Sequence, residues 1–400
     1  MAIVERPYTT LYWSLFAVFS LFGISMTIIG SSLPKILADF HWNYSIAGMV
    51  IAAASVGYFI ATFSAGNILA RLGFRKTLSI GFLLIIGSLF LFGLHATPAL
   101  NIFLYFLCGI GQGFLEVAVN AAVMRMDTSG QGRAMSLLHG AFALGAVIGP
   151  LAMSIILSLN IAWLLMFRIT AILYLLLALV LQMLPFRVLG ETDRSSRASG
   201  AGGTLYRQPA AWLGFLALMC YVGAEHNFSN WISEYAVSVF GAMPATGSLL
   251  VSLFWLGLMA GRMGVPLVAR RMRLTTQLQR FALLMAGSFV LVFSLGWLGR
   301  GALPLVALLS FVAGFGCSIL YPTVMTMLGG AFREQQGPII GFAATGGGVG
   351  GFVFPLLLAQ IGALAGIRAA FAANALIALG MLAIDLALVH RLRRMPSMKF

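Results

Sequence analysis

The amino-acid sequence predicts an all-α integral membrane protein of twelve transmembrane helices in two pseudo-symmetric six-helix bundles. Three observations predict it. Of 400 residues, 60% are hydrophobic and 8% charged, with a mean hydropathy of +0.99, more apolar surface than soluble cores can keep from water. Turn and charge signals divide the chain into twelve apolar stretches, each close to the ~20 residues that a bilayer-crossing helix needs. Residues 113–126, GFLEVAVNAAVMRM, return about 200 residues later as 314–327, GFGCSILYPTVMTM, which marks two homologous halves.

The first half supplies spans at 11–34, 45–69, 78–95, 100–123, 133–157 and 162–185. No small-residue cleavage signal with a polar mature domain follows the first, and further apolar stretches arrive at once, so it is a span and not a removable signal peptide. The fourth span holds the repeat and Glu116, and the fifth holds GAVIGP at 145–150. The least apolar segment begins RVLGETDRSSRASGAGG at residue 187; it is too short for a domain and too polar for a span. It is expected to be the cytoplasmic linker, giving an N-terminal bundle at 1–186, a linker at 187–208 and a C-terminal bundle at 209–400. The second half supplies spans at 210–239, 245–268, 281–298, 302–326, 335–361 and 367–389, with GGFVFP at 350–355 answering GAVIGP in its fifth span. Pro34, Pro98, Pro185, Pro209 and Pro244 all lie near span ends, where a missing amide donor costs little. Gly and Ala runs at 52–57 and 346–351 allow close helix approach and are expected to be interdomain gates; static helix contacts are the alternative.

The formal charge of +14 follows topology. With the chain starting inside, the cytoplasmic connections hold Arg71, Arg75, Lys76, Arg125, Arg133, Arg187, Arg194, Arg197, Arg207, Arg270, Arg271, Arg273, Arg280, Arg333, Arg391, Arg393, Arg394 and Lys399, whereas the opposite face has little beyond Lys35, Arg300 and Arg368. This is the positive-inside pattern of a bacterial-type cytoplasmic (inner) membrane protein with both termini cytoplasmic, and it argues against a nucleic-acid partner. Cys108, Cys220 and Cys317 lie in apolar stretches and give neither a disulfide scaffold nor a metal spacing. No Gly-rich phosphate cradle with its lysine is present, and no nucleophile stands beside an oriented base, so neither ATP coupling, an enzyme nor a cofactor is expected. The sequence carries no oligomer signal, so a monomer among membrane lipids is expected.

Between spans two and three, GNILARLGFRKTL at 66–78 combines turn-forming glycines with bases able to pair with carboxylates, helix C-terminal carbonyls or lipid phosphates. A weaker echo, GVPLVARRMRL, stands at 264–274. Gly66, Arg71, Gly73, Arg75 and Lys76 are therefore candidates for a conformational latch, against the plainer reading of a basic topology signal.

Two six-helix halves, a polar linker and this Gly-Arg-rich loop resemble the major facilitator superfamily, which implies the major facilitator fold. That superfamily's signature usually reads G-x-L-x-D-R-x-G-R-[RK]; here Ala70 occupies the place of the acid. Three stretches are also similar to the fucose, galactose and glucose permeases, sugar:proton symporters: GFLEVAVN at 113–120, LLHGAFALGAVIGP at 137–150 and GAEHNFSNWISEY at 223–235. The resemblance carries Glu116 and Asn120 onto that family's buried acid and its polar partner, and includes His139. It departs in the first span, where 11–33 holds no Asp or Glu although the fucose permease has a functional acid there.

A carboxylate taken into hydrocarbon without a partner favours its protonated form, so Glu116 suits proton coupling. Asn120, four residues on, shares its helical face and can bond a hydroxylated solute or the acid itself. Span seven is the densest in polar groups: Glu225, Asn227, Ser229, Asn230, Trp231 and Glu234. Amides hold sugar hydroxyls and an aromatic face covers a sugar's C–H face, so Asn227, Asn230 and Trp231 are candidate contacts for a neutral sugar or polyol. Glu225 or Glu234 can be the second protonatable site. The alternative is a broken helix whose Asn residues satisfy freed backbone groups, with Trp231 anchored at an interface. His139 can relay a proton or bridge helices, and Tyr321 before Pro322 can line the cavity. Arg262 either snorkels or pairs with an acid such as Glu225. Together these residues point to proton-coupled transport of a small polyhydroxyl solute by alternating access. A proton-driven drug or metabolite exporter, and a non-transporting membrane receptor, are the alternatives.

Overall fold

The computed structural model describes residues 4, 8–127, 133–184, 186, 205–268 and 272–394, to which every structural statement refers. The described residues are helical and contain no strand. In chain order the helices are α1 (Thr9–Phe40), α2 (Tyr44–Leu91), α3 (Pro98–Met126), α4 (Arg133–Ser158), α5 (Leu164–Met183), α6 (Pro209–Phe240), α7 (Pro244–Val268), α8 (Leu274–Leu295), α9 (Leu303–Cys317), α10 (Leu320–Ala331), α11 (Gln336–Ala365) and α12 (Ile367–Arg393). Most of the expected linker lies outside the described residues; its last part carries a short 3-10 turn, Leu205–Arg207.

These helices do not correspond one to one with the twelve expected spans. The segment 66–78, expected to be a loop, is helical apart from a break at Gly73, whose φ of 75° and ψ of 173° suit glycine alone. At 48 residues, α2 would measure about 70 Å if straight, twice a ~30 Å hydrocarbon core. That length has room for two crossings, divided at Gly73. Conversely, the expected tenth span is divided into α9 and α10, while α6, for which a broken helix was the alternative, runs without a break. Ten helical segments among the described residues are long and apolar enough to cross a membrane. A second crossing in α2 and the more polar α6 are consistent with twelve.

The chain forms two compact units, Met1–Trp42 with Met49–Ser196, and Asn43–Gly48 with Arg197–Phe400. Within each, glycine crossings hold the helices together, because lipid gives little hydrophobic drive for helix association and close backbone contact replaces it. In the first unit a Cβ on Gly145 would stand 1.8 Å from the Ser20 carbonyl oxygen of α1, and one on Gly109 would stand 1.9 Å from that of Ala54 in α2. The second unit repeats the construction: a Cβ on Gly350 would lie 2.0 Å from the Met219 oxygen of α6, and one on Gly314 would lie 1.8 Å from the Phe254 oxygen of α7. The glycines expected to be interdomain gates thus pack inside a unit, Gly57 against Phe106 of α3 and Gly346 against Phe215 of α6.

Arginine caps repeat as well. Arg168 donates from Nη1 to the Leu89 carbonyl at 2.6 Å and from Nη2 to that of Phe92 at 2.9 Å, satisfying the orphan carbonyls that end α2. Arg368 donates to the Gly296 carbonyl at the end of α8, at 3.0 Å. Aromatic rings fill the two cores, Phe92 stacked on Phe167 at 5.1 Å in the first unit and Phe228 on Phe289 at 4.5 Å in the second.

Candidate functional site

In the first unit the site grows from the α2–α3 crossing. Gly109 and Gly113 are one turn apart on α3 and face the backbone of Ala54, Tyr58 and Thr62 on α2. That proximity delivers the Tyr58 hydroxyl to Glu116, the next residue along the α3 stripe after Gly113, and Tyr58 donates a hydrogen bond to its Oε2. Glu116 is partly buried. One turn further on, the buried Oδ1 of Asn120 has no hydrogen-bond partner. One turn before Glu116, Gln112 is committed to structure: its Nε2 donates to Ser25 Oγ at 3.1 Å, and Ser25 lies 3.1 Å from the Tyr174 hydroxyl. The other hydroxyls in the latter half of the first span, on Thr27, Ser31 and Ser32, donate to carbonyls of their own helix. They do not replace an acid.

His139 is exposed on α4 and meets the Phe19 ring of α1 edge-on at 5.6 Å. Among the latch candidates, Arg75 donates from Nη2 to the Leu184 carbonyl that caps α5, at 2.9 Å. Gly66, Arg71 and Lys76 are exposed, and Gly73 is the α2 break. Arg125 stands over the Phe74 ring at 5.1 Å.

In the second unit the polar groups lie along α6. Glu225 is 5% exposed and Asn227 1%. Both amide atoms of Asn227, and Nε1 of Trp231 one turn later on the same face, are buried with no hydrogen-bond partner. Asn230 differs: its Nδ2 donates to the His226 carbonyl of its own helix at 2.9 Å. Ser229 accepts from Trp255 Nε1 at 2.7 Å, which fixes that indole inside the unit. Near the end of α6, Glu234 accepts from Ser238 and, at 2.9 Å, from the Tyr44 hydroxyl, whose ring meets Trp231 edge-on at 5.7 Å.

The break between α9 and α10 has a local cause. Pro322 has no amide hydrogen to give the Ser318 carbonyl, four residues back. Arg262 donates from Nε to that carbonyl at 3.4 Å, and Tyr221 donates to the neighbouring Cys317 carbonyl at 3.0 Å. Arg262 therefore serves a freed backbone group, a role that neither of the expected alternatives, snorkelling or pairing with an acid such as Glu225, includes. Glu225 nonetheless lies within electrostatic range of both the Tyr221 hydroxyl and the Cys317 thiol, as does Arg262. Tyr321 joins the cluster with its ring 6.3 Å from that of Tyr221.

Sequence reasoning missed Tyr58, Tyr44 and Tyr221, since their signal is contact with residues 58, 190 and 96 positions away. No group of three or more His, Cys, Asp or Glu among the described residues is arranged to hold a metal ion.

Comparison with known proteins fits this architecture. An uncharacterized MFS-type transporter of Yersinia pestis is 23% identical over 364 residues, covering 90% of this chain and 91% of its own. A crystal structure of a D-xylose-proton symporter superposes with a TM-score of 0.77 at 16% identity, covering 97% of this chain and 98% of that one. The Escherichia coli fucose:proton symporter superposes with a TM-score of 0.62 at 21% identity, covering 96% and 99%. At these identities the two structures speak to the fold alone. The profile of the Major Facilitator Superfamily matches residues 15–309, well over half of the chain. With its repeated helical construction, this multi-pass membrane protein belongs to the major facilitator superfamily and is a transporter, not an enzyme.

Proposed function

We propose that this transporter carries a sugar or related neutral polyhydroxyl solute together with protons, by alternating access, in a bacterial inner membrane with both termini cytoplasmic. The observation that carries the reading is Glu116, a membrane-embedded carboxyl held by the Tyr58 hydroxyl in the first unit, where the repeat in the second unit has no acid. An intramembrane acid is costly and rarely idle. One hydroxyl leaves most of a carboxylate's acceptor capacity unused, so the group gains stability from a proton and can release it when water enters. For the solute, α6 offers the unbonded amide of Asn227 and the indole of Trp231 one turn away. Hydroxyl-rich ligands match an amide that both donates and accepts. Asn230 is the weaker contact because its Nδ2 is already bonded. The sugar:proton symport named for the xylose and fucose relatives of similar fold supports the same class.

The test is uptake of a sugar panel by the purified protein in proteoliposomes under an inward proton gradient, with Glu116→Gln beside wild type. Wild type concentrates its sugar, and E116Q only equilibrates it while counterflow survives. If no sugar moves in either assay, the sugar reading fails. Proton-driven extrusion of bulky apolar compounds would instead establish the exporter reading, which the acid-free first span favours.

A further inference from the structure

Asp385 is the buried carboxyl that nothing above employs. It lies on α12, is 0% exposed, and neither of its oxygens has a hydrogen-bond partner. Of the other acids in the described helices, Glu116 is served by Tyr58, Glu234 by Tyr44 and Ser238, and Asp39 by Lys35 and Trp163, while Glu225 stands beside the Tyr221 hydroxyl. Helix α12 packs on α6, α8 and α11. From these helices the titratable group that faces Asp385 is the Cys220 thiol of α6, and no charged side chain reaches it. On α12 itself, His390 is exposed beyond the next turn.

A carboxylate sealed in this way has no counter-charge and no donor, and keeping it ionised there is costly. In either protonation state the group is left without a bond here, a cost that access to water at another stage of the cycle would relieve. Its place on the fold gives that stage. Asn374 lies eleven residues earlier, three turns up the same face of α12, and donates from Nδ2 to the Ala224 carbonyl of α6, beside Glu225, at 3.3 Å. Asp385 thus sits at the other end of the α6–α12 seam, on the helix packed against α6, which carries Asn227 and Trp231. We propose that Asp385 is a second proton-binding site of this transporter, loaded as the neutral acid when the α6–α12 seam is closed and releasing its proton to water when the seam opens. It fills the role left by the acid missing from the first span, and to that extent it rests on the proton-coupled reading above.

The experiment compares wild type with Asp385→Asn in two stages. The first needs no solute: infrared spectra and proton uptake are recorded on purified protein stepped from alkaline to neutral pH. The carbonyl band of protonated carboxyls grows in wild type, and D385N lacks one component of it beside that of Glu116 and takes up one proton fewer. An absent band, or equal proton uptake, overturns the proposal. Should D385N fail to fold, the same titration of wild type containing 13C-aspartate decides it, since the chain has only Asp39, Asp127, Asp193 and Asp385 to shift. The second stage is gradient-driven accumulation against counterflow in proteoliposomes. D385N loses accumulation and keeps counterflow, Asp385→Glu regains part of it, and undiminished accumulation by D385N overturns the coupling role. A wild type that moves no sugar refutes the solute assignment alone and leaves the first stage to judge Asp385.

Discussion

Gly109→Ala puts the α2–α3 crossing to the test, because that crossing brings Tyr58 to Glu116. The added methyl would stand 1.9 Å from the Ala54 oxygen, 2.7 Å from its carbonyl carbon and 2.8 Å from its Cα. All three are backbone atoms, so no rotamer change relieves the clash and the helices must separate. Restoring ordinary contact at ~3.5 Å requires a displacement of about 1.5 Å, enough to forfeit much of the dispersion energy along the seam. Overpacking of this kind costs ~1–3 kcal/mol, and a clash with backbone alone belongs at the upper end. Against it stands the ~1 kcal/mol by which Ala exceeds Gly inside a helix. The net expectation is a loss of about 2 kcal/mol. Gly87→Ala, also in α2, is the control: its Cβ meets nothing within 4 Å, so it should gain up to ~1 kcal/mol. Thermal unfolding in detergent, followed by circular dichroism, should show a lower midpoint for G109A and an equal or higher one for G87A. Proton-driven uptake should fall in G109A alone, since moving α2 withdraws the Tyr58 hydroxyl from Glu116. Equal midpoints for the two variants would refute the close approach and the account of how the pair is assembled.

Other substitutions test the backbone and the caps. Gly73→Ala forces a side chain onto a residue at φ 75° and ψ 173°, at a cost of about 1–3 kcal/mol. Gly66→Ala, in open space at ordinary helical angles, should leave the unfolding midpoint unchanged or raise it. Arg168→Ala strands two carbonyls at the end of α2 and Arg368→Ala one at the end of α8. The first should cost roughly 2–3 kcal/mol; the second, at a more exposed arginine, should cost much less because water takes the freed carbonyl. Equal shifts in their unfolding midpoints would count against the capping role.

Much of this protein was legible in its sequence because a bilayer imposes a local rule: a helix must be apolar for about 20 residues or it does not cross. That rule, with the 113–126 and 314–327 repeat, was enough for an all-helical membrane fold and its family. It also singled out Glu116 and the polar set on α6, since an acid or amide in an apolar span stands out from its neighbours alone. Partners are another matter. Hydropathy carries no record of which helix will lie against which, so the pairing of Tyr58 with Glu116, Tyr44 with Glu234 and Trp255 with Ser229 emerged only in the tertiary structure. The same holds for the glycines, which read as gates along the chain and became intra-unit crossings once their neighbours were in place. Composition decided that the chain enters the membrane and where its unusual polar groups lie. Packing decided which of those groups are satisfied, and so which, like Asn227 and Asp385, are left with bonds to make.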